Sequence, residues 1–94
     1  MNNKERNQLR KIAERVTDVI ESMLQETQDS IQEFADAEQE KIDNMPESLQ
    51  FSERAERMQE YVEALEGVCS DIDSVMSEVI DIADAINNIA DDNI

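Results

Sequence analysis

Carboxylates are the only groups in this sequence numerous enough to do chemistry. Twenty-four Asp and Glu stand against eight Lys and Arg, no His, one cysteine (Cys69) and one glycine (Gly67). Without an imidazole there is no Ser-His or Cys-His nucleophile pair, and one cysteine supplies no zinc site. A phosphate-binding loop needs several residues lacking Cβ so that backbone amides can reach the phosphates, and Gly67 stands alone. Asp71-x-Asp73 begins like a calcium loop but lacks the turn glycine and falls inside an apolar helical repeat. What remains is metal-assisted work by paired carboxylates, or electrostatic recognition.

The best arrangement for metal work is Glu60-x-x-Glu63, a gap of 14 residues, then Glu78-x-x-Asp81. It superficially resembles the magnesium-binding pattern of the all-α nucleoside triphosphate pyrophosphatases. In that family the two halves lie on different helices that converge on the metal. Here nothing interrupts the helix between Glu63 and Glu78, so the pairs stand more than ~20 Å apart along one rod. In a chain this acidic such spacings arise by chance, and the carboxylates read as a solvated face. The sequence predicts no enzyme, no metal site and no cofactor.

The elements that position these groups are helices. One Gly, one Pro and abundant Glu, Ala, Gln, Met, Ile and Asp leave little turn or strand chemistry. The only strong punctuation is Asp43-Asn44-Met45-Pro46-Glu47-Ser48-Leu49-Gln50-Phe51-Ser52, where Pro46 would lack a donor and clash inside a helix. The expected fold is all-α: a single domain over residues 1–94, built as a long antiparallel two-helix hairpin. Its helices run over about 3–42 and 53–90, with a loop at about 43–52 and a frayed tail at 91–94. Ser52 is the expected N-cap of the second helix, and Met45, Leu49 and Phe51 are expected to close the hairpin end.

The second helix carries three apolar series in heptad register. Leu65, Ile72, Val79 and Ile86 are flanked by Val62, Cys69, Met76, Ala83 and Ala90, and by Tyr61, Val68, Val75, Ile82 and Ile89. Three apolar positions of seven form a wider stripe than one partner helix covers. The oligomer and core face is therefore assigned to Val62, Leu65, Val68, Cys69, Ile72, Val75, Met76, Val79, Ile82, Ile86 and Ile89. The first helix answers with Leu9, Ile12, Ala13, Val16, Val19, Ile20 and Met23. It then drifts through Leu24, Thr27, Ile31 and Phe34 to Ile42, as though the repeat slips by four residues. A homodimer forming a four-helix bundle, or a partner's helices, would complete the core.

Charge is unevenly spread. Residues 1–15 hold five basic and two acidic groups, Lys4, Arg6, Arg10, Lys11 and Arg15 against Glu5 and Glu14. From Met58 onward there are ten carboxylates and no basic residue, within a net charge of −16. Antiparallel pairing sets the basic end beside Glu78, Asp81, Asp84, Asp91 and Asp92. A field of this sign repels nucleic acid and anionic membrane and draws basic surfaces. A rod of carboxylates can also imitate the phosphate rows of DNA; the alternative is that acidity serves solubility alone. The residues assigned to electrostatic partner binding are Glu60, Glu63, Glu66, Asp71, Asp73, Glu78, Asp81 and Asp84.

The segment Asp43-Asn44-Met45-Pro46-Glu47-Ser48-Leu49-Gln50, then Ser52-Glu53-Arg54 and the Glu60–Leu65 stretch, resembles small acidic helical proteins encoded by bacteriophages and prophages. The resemblance spans roughly residues 38–66 and carries no assigned activity and no functional residue. It implies a phage setting, where short acidic accessory proteins bind and inhibit host machinery, anti-CRISPR and other anti-defence inhibitors included. Two readings follow. One is a phage-encoded protein that inhibits a host nucleic-acid-handling or defence protein by acidic docking, with DNA mimicry as its means. The other is a structural or assembly coiled coil with no inhibitory role. With a lone Cys69, a polar start and no apolar run long enough to span a bilayer, the expected setting is cytoplasmic, in the host cell if phage-encoded. The expected partners are a basic protein and a second copy, with no direct nucleic-acid or membrane binding.

Overall fold

The computed structural model describes residues 1–93, and the remaining residue of the expected 91–94 tail, Ile94, lies outside the described residues. Every element among the described residues is helical. They are α1 (Asn3–Arg15), a π turn (Val16–Glu21), α2 (Ser22–Asp43), a 3-10 turn (Glu47–Leu49) and α3 (Glu53–Ala90). The chain forms two compact units. One comprises residues 1–26 and 73–94, the other residues 27–72. Helix α3 contributes to both, residues 53–72 to one and 73–90 to the other.

In the first unit the beginning of α1 lies beside the end of α3. Asn2 caps α1, its Oδ1 accepting from the Glu5 amide at 2.8 Å, which satisfies one of the four donors a helix start leaves open. Leu9 and Val16 are half-buried and Ala13 fully so, against Val79, Ala83 and Ala90 of α3 on the other side of the seam. The π turn follows directly. A turn closed by wider bonding holds one residue more than an α turn, so it advances the side-chain phase by one position. Thr17 Oγ1 donates to the Ala13 carbonyl at 3.0 Å at the entrance to this turn.

That insertion accounts for the drift of the apolar pattern and corrects its size. The half-buried series steps by seven residues from Leu9 to Val16, by eight from Val16 to Leu24, and by seven again from Leu24 to Ile31. The register changes by one residue, not four. Thr27 and Phe34, which a four-residue slip turns inward, are exposed, Phe34 at 70%.

The second unit is again an antiparallel pair, α2 from residue 27 onward against α3 up to residue 72. Ala35, Ala55, Met58, Val62 and Cys69 are its buried residues, Val62 the largest of them that is wholly enclosed. Gln28 and Cys69 tie this seam in both directions. Gln28 Nε2 donates to the Cys69 carbonyl at 2.9 Å, and Cys69 Sγ donates to the Gln28 carbonyl at 3.7 Å. A polar residue at a seam position costs packing but fixes which layers face each other.

The link between α2 and α3 satisfies its own backbone. Pro46 is extended (φ −56°, ψ 142°) and ends the helical path, after which Leu49 N donates to the Pro46 carbonyl at 2.8 Å. Ser52 Oγ accepts from the Ala55 amide at 3.2 Å and donates to the Leu49 carbonyl at 2.7 Å, so it is the N-cap of α3. The loop does not seal the helix pair with its apolar groups as anticipated. Only Met45 is half-buried, while Leu49 is 50% and Phe51 86% exposed. The turn is tight enough that its carbonyls and hydroxyl meet each other, and the phenyl ring is left outside.

At the far end of α3, Asp92 adopts φ 59°. Asp92 N donates to the Ile89 carbonyl at 3.2 Å and Asn93 N to the Asn88 carbonyl at 2.7 Å, the paired bonds of a Schellman stop. Residues 91–93, anticipated as fraying, thus carry backbone bonds of their own.

Candidate interaction surfaces

The three apolar series of α3 separate into a seam and a flank. The buried residues Ala55, Val62, Cys69, Ala83 and Ala90 and half-buried Met76 make one seam row; Met58 and Val79, buried, with Leu65, Ile72 and Ile86, half-buried, make the other. The third series, Tyr61, Val68, Val75, Ile82 and Ile89, is 44–54% exposed throughout. Close approach across an antiparallel seam favours small side chains, and among the described residues five of the nine buried hydrophobic ones are alanine. The second seam row is larger, with Leu65, Ile72, Val79 and Ile86, and the Tyr61 series falls on a flank that one neighbouring helix does not cover.

Both units show the consequence. In the second, Phe34 and Glu38 of α2 and Tyr61, Ala64, Leu65 and Val68 of α3 wall an open apolar groove. In the first, Ile12, Arg15, Val16, Val19 and Ile20 wall another.

All eight carboxylates assigned to partner binding are exposed on α3, outside its seam rows. The second unit holds Glu60, Glu63, Glu66 and Asp71; the first holds Asp73, Glu78, Asp81 and Asp84. Each set places four carboxylates within twelve residues of helix, or about one per ~4.5 Å of axis. Among the described residues no group of three or more Asp, Glu, Cys or His is gathered closely enough to hold a metal ion, and no helix is long and apolar enough to cross a membrane.

Two cationic arrangements border these surfaces. Arg57 Nη1 donates to Glu60 Oε2 at 2.9 Å, and its guanidinium lies 5.0 Å over the Tyr61 ring. Tyr61 first, and then Glu60, raise the Arg57 pKa above its ordinary value. Helical spacing of three and four residues brings these three side chains together, a signal present in the sequence that charge counting alone passes over. The second arrangement is a clasp on the end of α3. Arg6 Nη1 donates to the Ala90 carbonyl at 2.9 Å, and Arg10 Nη2 reaches both that carbonyl, at 3.3 Å, and Asp91 Oδ1, at 2.8 Å. Of the opposed charges named from the sequence, Arg10 and Asp91 form an ion pair, while Arg6 serves the backbone instead.

Comparison with protein-family models, with curated proteins and with solved structures returns no match.

Proposed function

We propose that this chain is a binding protein that docks an acidic helical surface onto a basic protein surface, and that it self-associates through the apolar flank of α3 into a four-helix bundle. In the phage setting that the Asp43–Arg54 resemblance implies, the target is a host nucleic-acid-handling or defence protein in the cytoplasm, inhibited by occupation of its nucleic-acid groove. The observation that carries the acidic half of this reading is the exposed arc of α3, which holds eight carboxylates and, beyond Arg57, no cation. An ordinary solvated helix mixes signs to gain i, i+4 pairs. One charge per ~4.5 Å approaches the ~3.4 Å spacing along a single DNA strand but falls short of the ~1.7 Å of the duplex, so one chain matches one phosphate row and a dimer supplies a second.

The exposed flank favours the assembly role as a second reading, in which the apolar face is the function and the charge only keeps it soluble. Affinity capture from bacterial lysate separates the two. With Glu63, Glu66, Asp81 and Asp84 reversed to Lys, recovery of nucleic-acid-binding proteins is expected to fall about tenfold or more, and the wild-type complex to elute with salt. Equal recovery by both chains rejects the acidic reading and leaves the assembly one.

A further inference from the structure

The unit formed by residues 27–72 has one face whose charge is unlike that of the rest of the chain. Its open groove is walled by Phe34 and Glu38 of α2 and by Tyr61, Ala64, Leu65 and Val68 of α3, with Phe34 70%, Tyr61 49% and Val68 44% exposed. The heptad positions that flank the seam on this side are 27, 30, 34, 37 and 41 of α2 and 54, 57, 61, 64, 68 and 71 of α3. They hold Lys41, Arg54 and Arg57, which are all the cations beyond residue 15, and one carboxylate, Asp71. Glu38, half-buried in the groove wall, has Lys41 at 3.5 Å. In a chain of net −16 this face is thus nearly clear of acidic groups.

A basic partner meets cations here, and an acidic one is opposed by Asp71. A second copy answers both signs. The reciprocal bonds between Gln28 and Cys69 set those two residues level across the seam. In an antiparallel pair each step forward on one helix is a step back on the other, so Phe34 is level with about residue 63 and Lys41 with about residue 56. Two kinds of two-fold axis can close the face on itself. An axis along the rods keeps every residue at its own level and lays α2 of one copy over α3 of the other, which sets Lys41 against Arg57 twice. An axis across the rods lays α3 over α3 and α2 over α2, running in opposite directions. Placed level with Ala64, it sets Arg57 opposite Asp71 of the second copy, because each lies seven residues from Ala64. The same axis brings Tyr61 to Val68 of the second copy and Phe34 to Phe34. Ala64 then meets Ala64, a side chain small enough for the two helices to approach closely.

The geometry points to a homodimer closed on this groove by a transverse two-fold at Ala64, with an Arg57–Asp71 pair at each end of an apolar centre. An isologous interface has this self-complementarity as its signature. The assignment rests on the self-association proposed above and adds its surface and its axis. Asp71 belongs to the dimer, and the other seven carboxylates are left for a basic target.

Cysteine cross-linking of the full chain tests the axis. In a Cys69→Ser background, Ala64→Cys is the position that the two-fold brings onto itself. Oxidation with copper phenanthroline is expected to link most of the chain into disulfide dimers, a bond that requires Cα atoms within about 7 Å. Ser77→Cys, exposed but off this face, is expected to link at least tenfold more slowly. Equal rates at the two positions overturn the axis. Sedimentation equilibrium at one salt concentration tests the pairing, with circular dichroism confirming that each variant stays helical. Asp71→Arg removes two negative charges from each chain, so a dimer limited by overall repulsion strengthens, whereas this one is expected to weaken about threefold to tenfold and to recover when Arg57→Asp is added. Strengthening, or no recovery, overturns the pairing. Phe34→Asp separates these failures from that of the underlying reading, because Phe34 is exposed and its loss spares the fold. A dimer that survives Phe34→Asp and does not link at Ala64→Cys forms on another face, and a wild-type chain that is monomeric at high micromolar concentration rejects self-association itself.

Discussion

The last turn of α3 contains no basic residue, yet its carbonyls are not left to solvent, because Arg6 and Arg10 reach across from α1 to the Ala90 carbonyl. A helix end carries partial negative charge on its unpaired carbonyls, and cations there are favourable. The side chains of Arg10 and Asp91 are 45% and 53% exposed, so solvent screening limits what the pair adds. Arg10→Ala is expected to lower stability by about 1 kcal/mol or less, seen as a lower urea midpoint at unchanged m-value, with faster amide exchange at Asp91–Asn93. Unaltered exchange there would show that the Schellman bonds hold the terminus alone. At this scale the sequence was partly legible. Opposed charges at the two ends were visible in composition, and Ser52 was recognisable as a cap from its type and place. That Arg6 would choose a carbonyl over a carboxylate was not, since backbone acceptors leave no mark in side-chain patterning.

At the scale of elements, helical class and the Pro46 break are plain in the sequence, because proline excludes itself from a helix interior and the α3 heptads run without interruption. The first helical run was harder to read. A π turn changes hydrogen bonding, not residue types, and the apolar residues around it fit a four-residue slip as well as a one-residue one. The width of the α3 stripe was likewise visible, whereas its division was not. The available signal was size, since the series rich in Ala and Cys is the one that can lie at closest approach. Deleting Ile20 removes the extra residue and returns the step from Val16 to the present Leu24 to seven. The shortened chain is expected to keep its helical content and to be equally stable or more stable by about 1 kcal/mol or less, read as an equal or higher melting temperature. Inserting one alanine after Gly67 instead throws the rest of α3 out of phase, and is expected to cost about 3 kcal/mol or more. Collapse of the deletion variant would mean that the π turn itself is required for packing.

For the whole molecule, charge and apolar surface pull in opposite directions. Two chains of net −16 repel at a distance, while the exposed flank gains by burial. Raising salt from about 20 to about 300 mM shortens the screening length from roughly 20 to roughly 6 Å, which relieves the repulsion and leaves apolar burial intact. Self-association is therefore expected to strengthen with salt over this range as docking onto a basic partner weakens, and sedimentation and binding measured in the same buffers give slopes of opposite sign. Slopes of the same sign would place one interaction, not two, behind both observations. That the eight carboxylates are exposed follows from their charge. The apolar edge that accompanies them became legible only with the seam located, because core and flank are written in the same residue types.

Cys69 is the only thiol in the chain, it is buried, and its sulfur donates to the carbonyl of Gln28 across the seam of residues 27–72. A thiol reagent must wait for those two segments to part. When reclosing is faster than reaction, the labelling rate is the opening equilibrium multiplied by the rate for a free thiol. One sulfur atom thus acts as a chemical clock for the breathing of that unit. The other unit holds no thiol and stays silent, so the clock times local opening in one half of the chain without interference from the other.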